Sequence, residues 1–92
     1  MTAVLTIKAE PQSGGWECAV RVGAGPSTSN HNVRLRTSDL ERLGRPGESP
    51  EHLVERAFEF LLAREPASHI LRSFELTDIS RYFPEFEQEI RS

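Results

Sequence analysis

Residues Ser49 to Pro66 read S-P-E-H-L-V-E-R-A-F-E-F-L-L-A-R-E-P, and this stretch carries both ends of a helix. Ser49 is an N-cap residue, because its hydroxyl can accept a bond from an orphan N–H of the first turn. Pro50 then occupies the first helical position, where its missing N–H costs nothing. Glu51 sets negative charge against the positive end of the helix dipole. Pro66 biases Glu65 away from the α region, so the helix should stop between Ala63 and Glu65. Stepping about 100° per residue gathers Leu53, Val54, Ala57, Phe58, Phe60 and Leu61 on one broad arc, with Leu62 at its edge. His52, Glu55, Arg56, Glu59 and Ala63 fill the opposite arc. So wide an apolar face predicts a mostly buried helix with one charged strip in water.

Upstream, the period changes from helical to alternating. Val4 to Ala9 reads as a first strand, with Leu5 and Ile7 on one side and Thr6 and Lys8 on the other. Pro11 to Gly15 is a turn. Trp16 to Val22 is the clearest strand, with Trp16, Cys18, Val20 and Val22 on its apolar face. Gly23 to Asn30 is a connecting loop. Its Gly23-Ala24-Gly25 lacks both the third glycine of a dinucleotide fingerprint and the Lys of a P-loop, so it reads as a connector. His31 to Thr37 is a third strand, with His31, Val33 and Leu35 on the core side. Ser38 and Glu41 have capping-box spacing, predicting a short helix that ends at Gly44.

Downstream of Pro66 the chain reads as short helical pieces, with Ser68 and Thr77 as caps and a break at Pro84. Leu76, Ile79, Phe83, Phe86 and Ile90 are spaced 3, 4, 3, 4, an apolar seam for packing against the main helix or for a dimer contact. The expected fold is α+β: a three-stranded antiparallel β-meander over residues 1–37, then one main amphipathic helix and short C-terminal helices over 38–92, packed on one face of the sheet. The 92 residues make a single domain.

Composition narrows the function classes. Hydrophobic residues at 37% and charged residues at 27% suit a folded chain rather than a disordered one. No apolar run approaches a membrane span, and the N-terminus has no basic signal-peptide region, so the expected location is the cytoplasm with no membrane partner. One cysteine, Cys18, excludes an internal disulfide framework. The net charge of −3 is uneven: residues 1–47 carry +2 and residues 48–92 carry −5.

Three surfaces could carry function. Lys8, Arg21, Arg34 and Arg36 project from the outer sheet face, a basic patch that could meet a phosphate backbone, although it lacks aromatic residues for base stacking. Glu51, Glu55 and Glu59 form an i, i+4, i+8 ridge, either a solvated helix edge or a recognition strip for a basic partner. His31 and Asn30 stand beside the loop, a candidate ligand-binding position if a hydroxyl or carboxylate converges on them. The histidines His31, His52 and His69 are scattered, and Cys18 has no C-x-x-C partner, so no metal site or cofactor is expected and no catalytic signature appears.

The phrases F-L-L-A-R-E-P-A-S-H-I-L (Phe60 to Leu71) and F-E-L-T-D-I-S-R-Y-F-P-E-F (Phe74 to Phe86) resemble those of a group of short uncharacterised bacterial proteins. In that group a phrase of the form FLLxREP…IL…F.L..I..YFPE recurs near the C-terminus, and the likeness covers about residues 49–90. The resemblance implies a bacterial origin and a compact domain, and it carries over no activity and no site residue. Within the phrase, Arg64, Glu65 and Tyr82 are the polar exceptions, with helix capping the expected role of the first two. The expected function is a non-enzymatic protein-interaction or regulatory module, its partner another protein or a second copy in a homodimer. Nucleic-acid binding through Lys8, Arg21, Arg34 and Arg36 is the alternative, and ligand binding or catalysis near His31 the further one.

Overall fold

The computed structural model describes residues 4–23 and 28–91. Strands β1 (Leu5–Gln12) and β2 (Gly15–Val22) form an antiparallel hairpin closed by Ser13 and Gly14. Gly14 has φ +81°, a conformation that L side chains rarely adopt. Gly15 answers a different demand: a Cβ there would stand 2.1 Å from the Leu35 carbonyl oxygen. Strand β3 (Ser29–Arg36) pairs antiparallel with β2, so the predicted meander is present.

The strands are longer than their alternation suggests. β1 runs on through Pro11, which was expected to open a turn. The Gly23 N–H donates to the Val4 carbonyl, and with the paired register this sets the parity of the ladder. Thr6, Lys8 and Glu10 bond to β2, while Leu5, Ile7, Ala9 and Pro11 direct their backbone groups to the free edge. Pro11 therefore gives up no ladder bond, the placement that sheets tolerate. β3 begins at Ser29, two residues before the expected start, which shortens the predicted loop Gly23 to Asn30. Ala24 and Gly25 lie outside the described residues.

Helix α1 (Thr37–Leu43) follows β3 directly. The expected capping box of Ser38 and Glu41 does not form. The helix begins two residues earlier, with Arg36 at the N-cap and no side-chain cap, so Ser38 already lies inside the first turn. Its C-terminus matches expectation, as the Gly44 N–H bonds to the Leu40 carbonyl at 2.9 Å.

Helix α2 (Pro50–Leu62) matches the reading of the organising stretch closely. Ser49 Oγ accepts the His52 N–H at 3.1 Å, and Leu53, Val54, Ala57, Phe58, Phe60 and Leu61 are its buried residues. Arg56 departs from its predicted role on the charged strip. It turns sideways to clasp Glu48 through Nε and Nη2, both at 2.7 Å, and donates from Nη1 to the Ile90 carbonyl at 2.6 Å. The Glu48 side chain is 2% exposed and also accepts from the Arg45 N–H and from His52 Nδ1. These bonds, Arg56 first, draw the Glu48 carboxyl down to about 2, against the opposing effect of burial.

Beyond α2 a 3-10 turn at Ala67–His69 leads to a strand that the sequence did not disclose, β4 (Ser73–Glu75). It pairs in parallel with β3, Val33 opposite Phe74, and completes a four-stranded sheet in the order β1-β2-β3-β4. Three residues are too few for alternation to register. What places them is the waiting β3 edge, where the Asn32 N–H takes the Arg72 carbonyl at 2.6 Å. Neither Ser68 nor Thr77 acts as the expected cap. The first turn starts after Pro66, and the second, Leu76–Asp78, is fastened by Asp78 Oδ2 accepting the Glu75 N–H at 3.1 Å.

Helices α3 (Ile79–Tyr82) and α4 (Phe86–Ile90) are separated at Phe83 to Glu85, the predicted break at Pro84. The seam is internal: Leu76, Ile79, Phe86 and Ile90 are buried and Phe83 packs against the same core. Phe60 meets Phe83 and Phe86 edge-on at 5.8 and 5.1 Å. The fold is α+β, with the helices on one face of the sheet and a polar row on the other.

Candidate functional site

The end of α2 prepares a cleft. Arg64 folds back on its own helix, donating Nη1 to the Phe60 carbonyl at 3.1 Å, with its guanidinium 3.6 Å from the Phe60 ring centroid. Nη2 reaches Glu89 at 2.7 Å and Nε lies 3.6 Å from Glu85. Arg64 thus performs the expected capping and also braces α2 against α4. Pro66 then diverts the chain, Ile70 enters the core, and Leu71 is left half exposed. Phe74 on β4 stands 6.1 Å from Phe58, ring to ring. Between the end of α2, the 67–71 turn, β4 and α3 lies a cleft of about 130 Å³. Leu61, Ile70, Phe74 and Ile79 supply apolar lining, and Glu65, His69 and Asp78 supply polar groups.

Leu71 and Tyr82 also line this cleft, and they are 50% and 65% exposed. Among the described residues, Val4 is the other large hydrophobic side chain at the surface. Two of the three thus flank one concavity. Exposed apolar residues gathered around a cleft mark a binding surface more often than scattered ones do.

His31 occupies the neighbouring concavity, about 330 Å³, with Thr28, Ser29, Ser68 and Arg72 around it. The imidazole is buried, 5% exposed, with its ring centroid 5.5 Å from that of Phe58. Its Nδ1 lies 2.7 Å from the Leu71 carbonyl oxygen and its Nε2 lies 2.9 Å from Ser29 Oγ. A carbonyl oxygen only accepts, so Nδ1 carries the proton and Nε2 of the neutral ring is left to accept from the Ser29 hydroxyl. The sequence placed His31 and Asn30 beside a candidate pocket, and the structure adds the converging hydroxyl. Asn30 borders the same concavity from β3.

The four cations of the outer sheet face do share that face, but acidic residues stand among them. Arg36 pairs with Glu75 at 2.9 Å. Glu17 accepts from Asn32 and, at 2.6 Å, from Gln12, and these two bonds together with the nearby Arg34 hold its carboxyl below the usual range. Glu10 faces Glu17 across the ladder. Lys8 and Arg21 keep to the other end, opposite Ala19 and Thr6, beside a shallow hollow of about 170 Å³. The basic patch is therefore half neutralised. Glu51 and Glu59 are exposed and Glu55 is partly covered on α2, while Arg56, placed on the same charged strip by the sequence, is committed to Glu48.

Cys18 lies fully buried between β1 and β3, and burial first, then Glu51 and Glu17, push its thiol up to about 11. Among the described residues no group of three His, Cys, Asp or Glu side chains could hold a metal ion. No helix among them is long and apolar enough to cross a membrane. No protein-family model, curated protein or solved structure matches the chain.

Leu71, Phe74 and Tyr82 were not marked as site residues by the sequence. The chain after Pro66 reads as short helical pieces, so with β4 unseen Leu71 and Phe74 carry no sign of lining a cleft. The one available signal was Tyr82, a polar-tipped aromatic beside Phe83.

Proposed function

We propose that this chain is a protein-interaction module that grips an apolar side chain of its partner in the cleft between α2, β4 and α3. The observation that carries this reading is the pair Leu71 and Tyr82, both largely exposed and both lining that cleft. The polar groups of the cleft include Glu65 and Asp78, and residues 48–92 carry −5 overall. A segment with a bulky apolar residue beside lysine or arginine fits this chemistry: an apolar anchor supplies affinity and a charged rim selects the partner.

The test is selection from a displayed random-peptide library on the wild-type protein and on Tyr82→Glu. Peptides pairing an apolar anchor with basic neighbours are expected to enrich on the wild type and to lose at least tenfold in affinity on the variant. Enrichment indifferent to Tyr82→Glu, or none at all, contradicts the proposal.

A second reading is favoured by the His31 geometry. A serine hydroxyl bonded to a histidine that is itself oriented by a carbonyl has the layout of an activated nucleophile. Arg72 beside it suits an anionic or oxyanionic ligand. Covalent labelling of Ser29 by a fluorophosphonate, abolished in Ser29→Ala, would move the function to this pocket. Absence of labelling leaves the cleft as the functional surface. Nucleic-acid binding through Lys8, Arg21, Arg34 and Arg36 has less support, because Glu17 and Glu75 occupy the same sheet face.

A further inference from the structure

We propose that β1 is a self-pairing edge, and that the strand added to it is β1 of a second copy of this chain. The inference goes beyond the cleft reading and uses a different surface. The two edges of the sheet are unlike: β4 offers three residues, β1 eight. From the ladder parity, β1 turns the N–H and C=O groups of Leu5, Ile7 and Ala9 outward, and Pro11 adds a carbonyl without a donor. Such an edge is a template for another strand.

The edge complements itself. Antiparallel pairing about a twofold axis through Ile7 sets Ile7 against Ile7 of the second copy and Leu5 against its Ala9. Every one of these outward N–H groups then meets an outward carbonyl. Leu5, Ile7 and Ala9 are each partly buried and lie on the helix side of the sheet, so the pairing extends their apolar row across the axis. On the open face, Lys8 falls opposite Thr6, and Glu10 opposite the exposed Val4, so no like charges stand directly opposed. The two Lys8 side chains lie diagonally across the axis, a repulsion that an acidic residue at position 6 relieves. Shifting the register so that Leu5 faces Pro11 leaves the Leu5 carbonyl without a donor, for want of a proline N–H, and sets Lys8 directly opposite Lys8 of the second copy. A pairing of this kind consumes both β1 edges and leaves only the short β4 edges, so it closes as a dimer rather than growing into a fibre.

Sedimentation equilibrium and amide hydrogen exchange, each over a range of concentrations, test this. The mass should move from monomer towards dimer as concentration rises. Protection of the Leu5, Ile7 and Ala9 amides should rise with it, while the Thr6, Lys8 and Glu10 amides stay protected throughout. Thr6→Lys places lysine against Lys8 twice and should weaken the dimer about 3- to 10-fold, and Thr6→Glu should strengthen it by a similar factor. Tyr82→Glu should leave self-association unchanged, which separates this proposal from the cleft. A monomer at millimolar concentration overturns it. So does a dimer in which the Leu5, Ile7 and Ala9 amides do not respond, or one indifferent to charge at position 6.

Discussion

His31 donates its Nδ1–H to the carbonyl oxygen of Leu71 at 2.7 Å, joining residues forty positions apart. The bond ties the core side of β3 to the segment whose side chain forms one wall of the cleft. The two concavities therefore share a backbone, and the shape of one depends on the histidine of the other. His31→Phe keeps a ring against Phe58 but removes both hydrogen bonds. It should cost about 1–2 kcal/mol in urea unfolding, the range for losing buried hydrogen bonds with one partner left behind. The Leu71 methyl resonances should shift at the same time, because their backbone anchor is gone.

Glu48 and Arg56 form the polar anchor of the helical layer. Glu48→Ala leaves the Arg56 guanidinium uncompensated in a site where its side chain is 13% exposed, and should cost about 3–5 kcal/mol. The pair also sets the acid limit of the fold. The folded Glu48 carboxyl titrates near 2 against an ordinary value of 4.5. Its contribution, roughly 3 kcal/mol, is complete above the ordinary value and drains away as pH falls towards the folded one. Urea midpoints measured between pH 6 and pH 2.5 should fall less steeply in Glu48→Gln than in the wild type.

Cys18 should be chemically silent in the folded state. Its thiol is fully buried and pushed up to about 11, so at pH 8 almost no thiolate exists and no reagent can reach it. Iodoacetamide should modify less than a tenth of the protein in buffer and nearly all of it in 6 M guanidinium.

Gly15→Ala tests the crossing of β2 and β3. The new methyl would meet the Leu35 carbonyl and the Arg36 Cα, both backbone atoms that cannot swing aside. A loss of about 1–3 kcal/mol is expected, read from the thermal midpoint, with the hairpin displaced at Leu35.

The sequence made α2 legible almost residue by residue, because its cap, its proline and its apolar arc all agree. The alternation of β2 and the break at Pro84 were equally local, and both were readable. β4 was not, since its three residues are strand only because Asn32 and its neighbours on β3 offer an edge. The cleft went unseen for the same reason: Leu71 and Phe74 look like core until the chain after the 67–69 turn leaves Leu71 half exposed and β4 sets Phe74 beside Phe58. The pairing of Arg56 with Glu48, eight residues away, was not legible because the helix wheel places Arg56 on the charged strip, and Glu48 lies outside the helix that the wheel describes. The outer cations were placed on the correct face, but Glu75 joins them only through the unread strand.

A photoreactive phenylalanine analogue placed at position 82, and separately at position 21, and irradiated in the cells that make the protein, reads out whether the cleft holds a protein partner. A discrete protein adduct is expected from position 82, suppressed by Leu71→Asp, and none from position 21. Adducts from position 21 with none from position 82 would contradict it and shift the function to the outer face of the sheet.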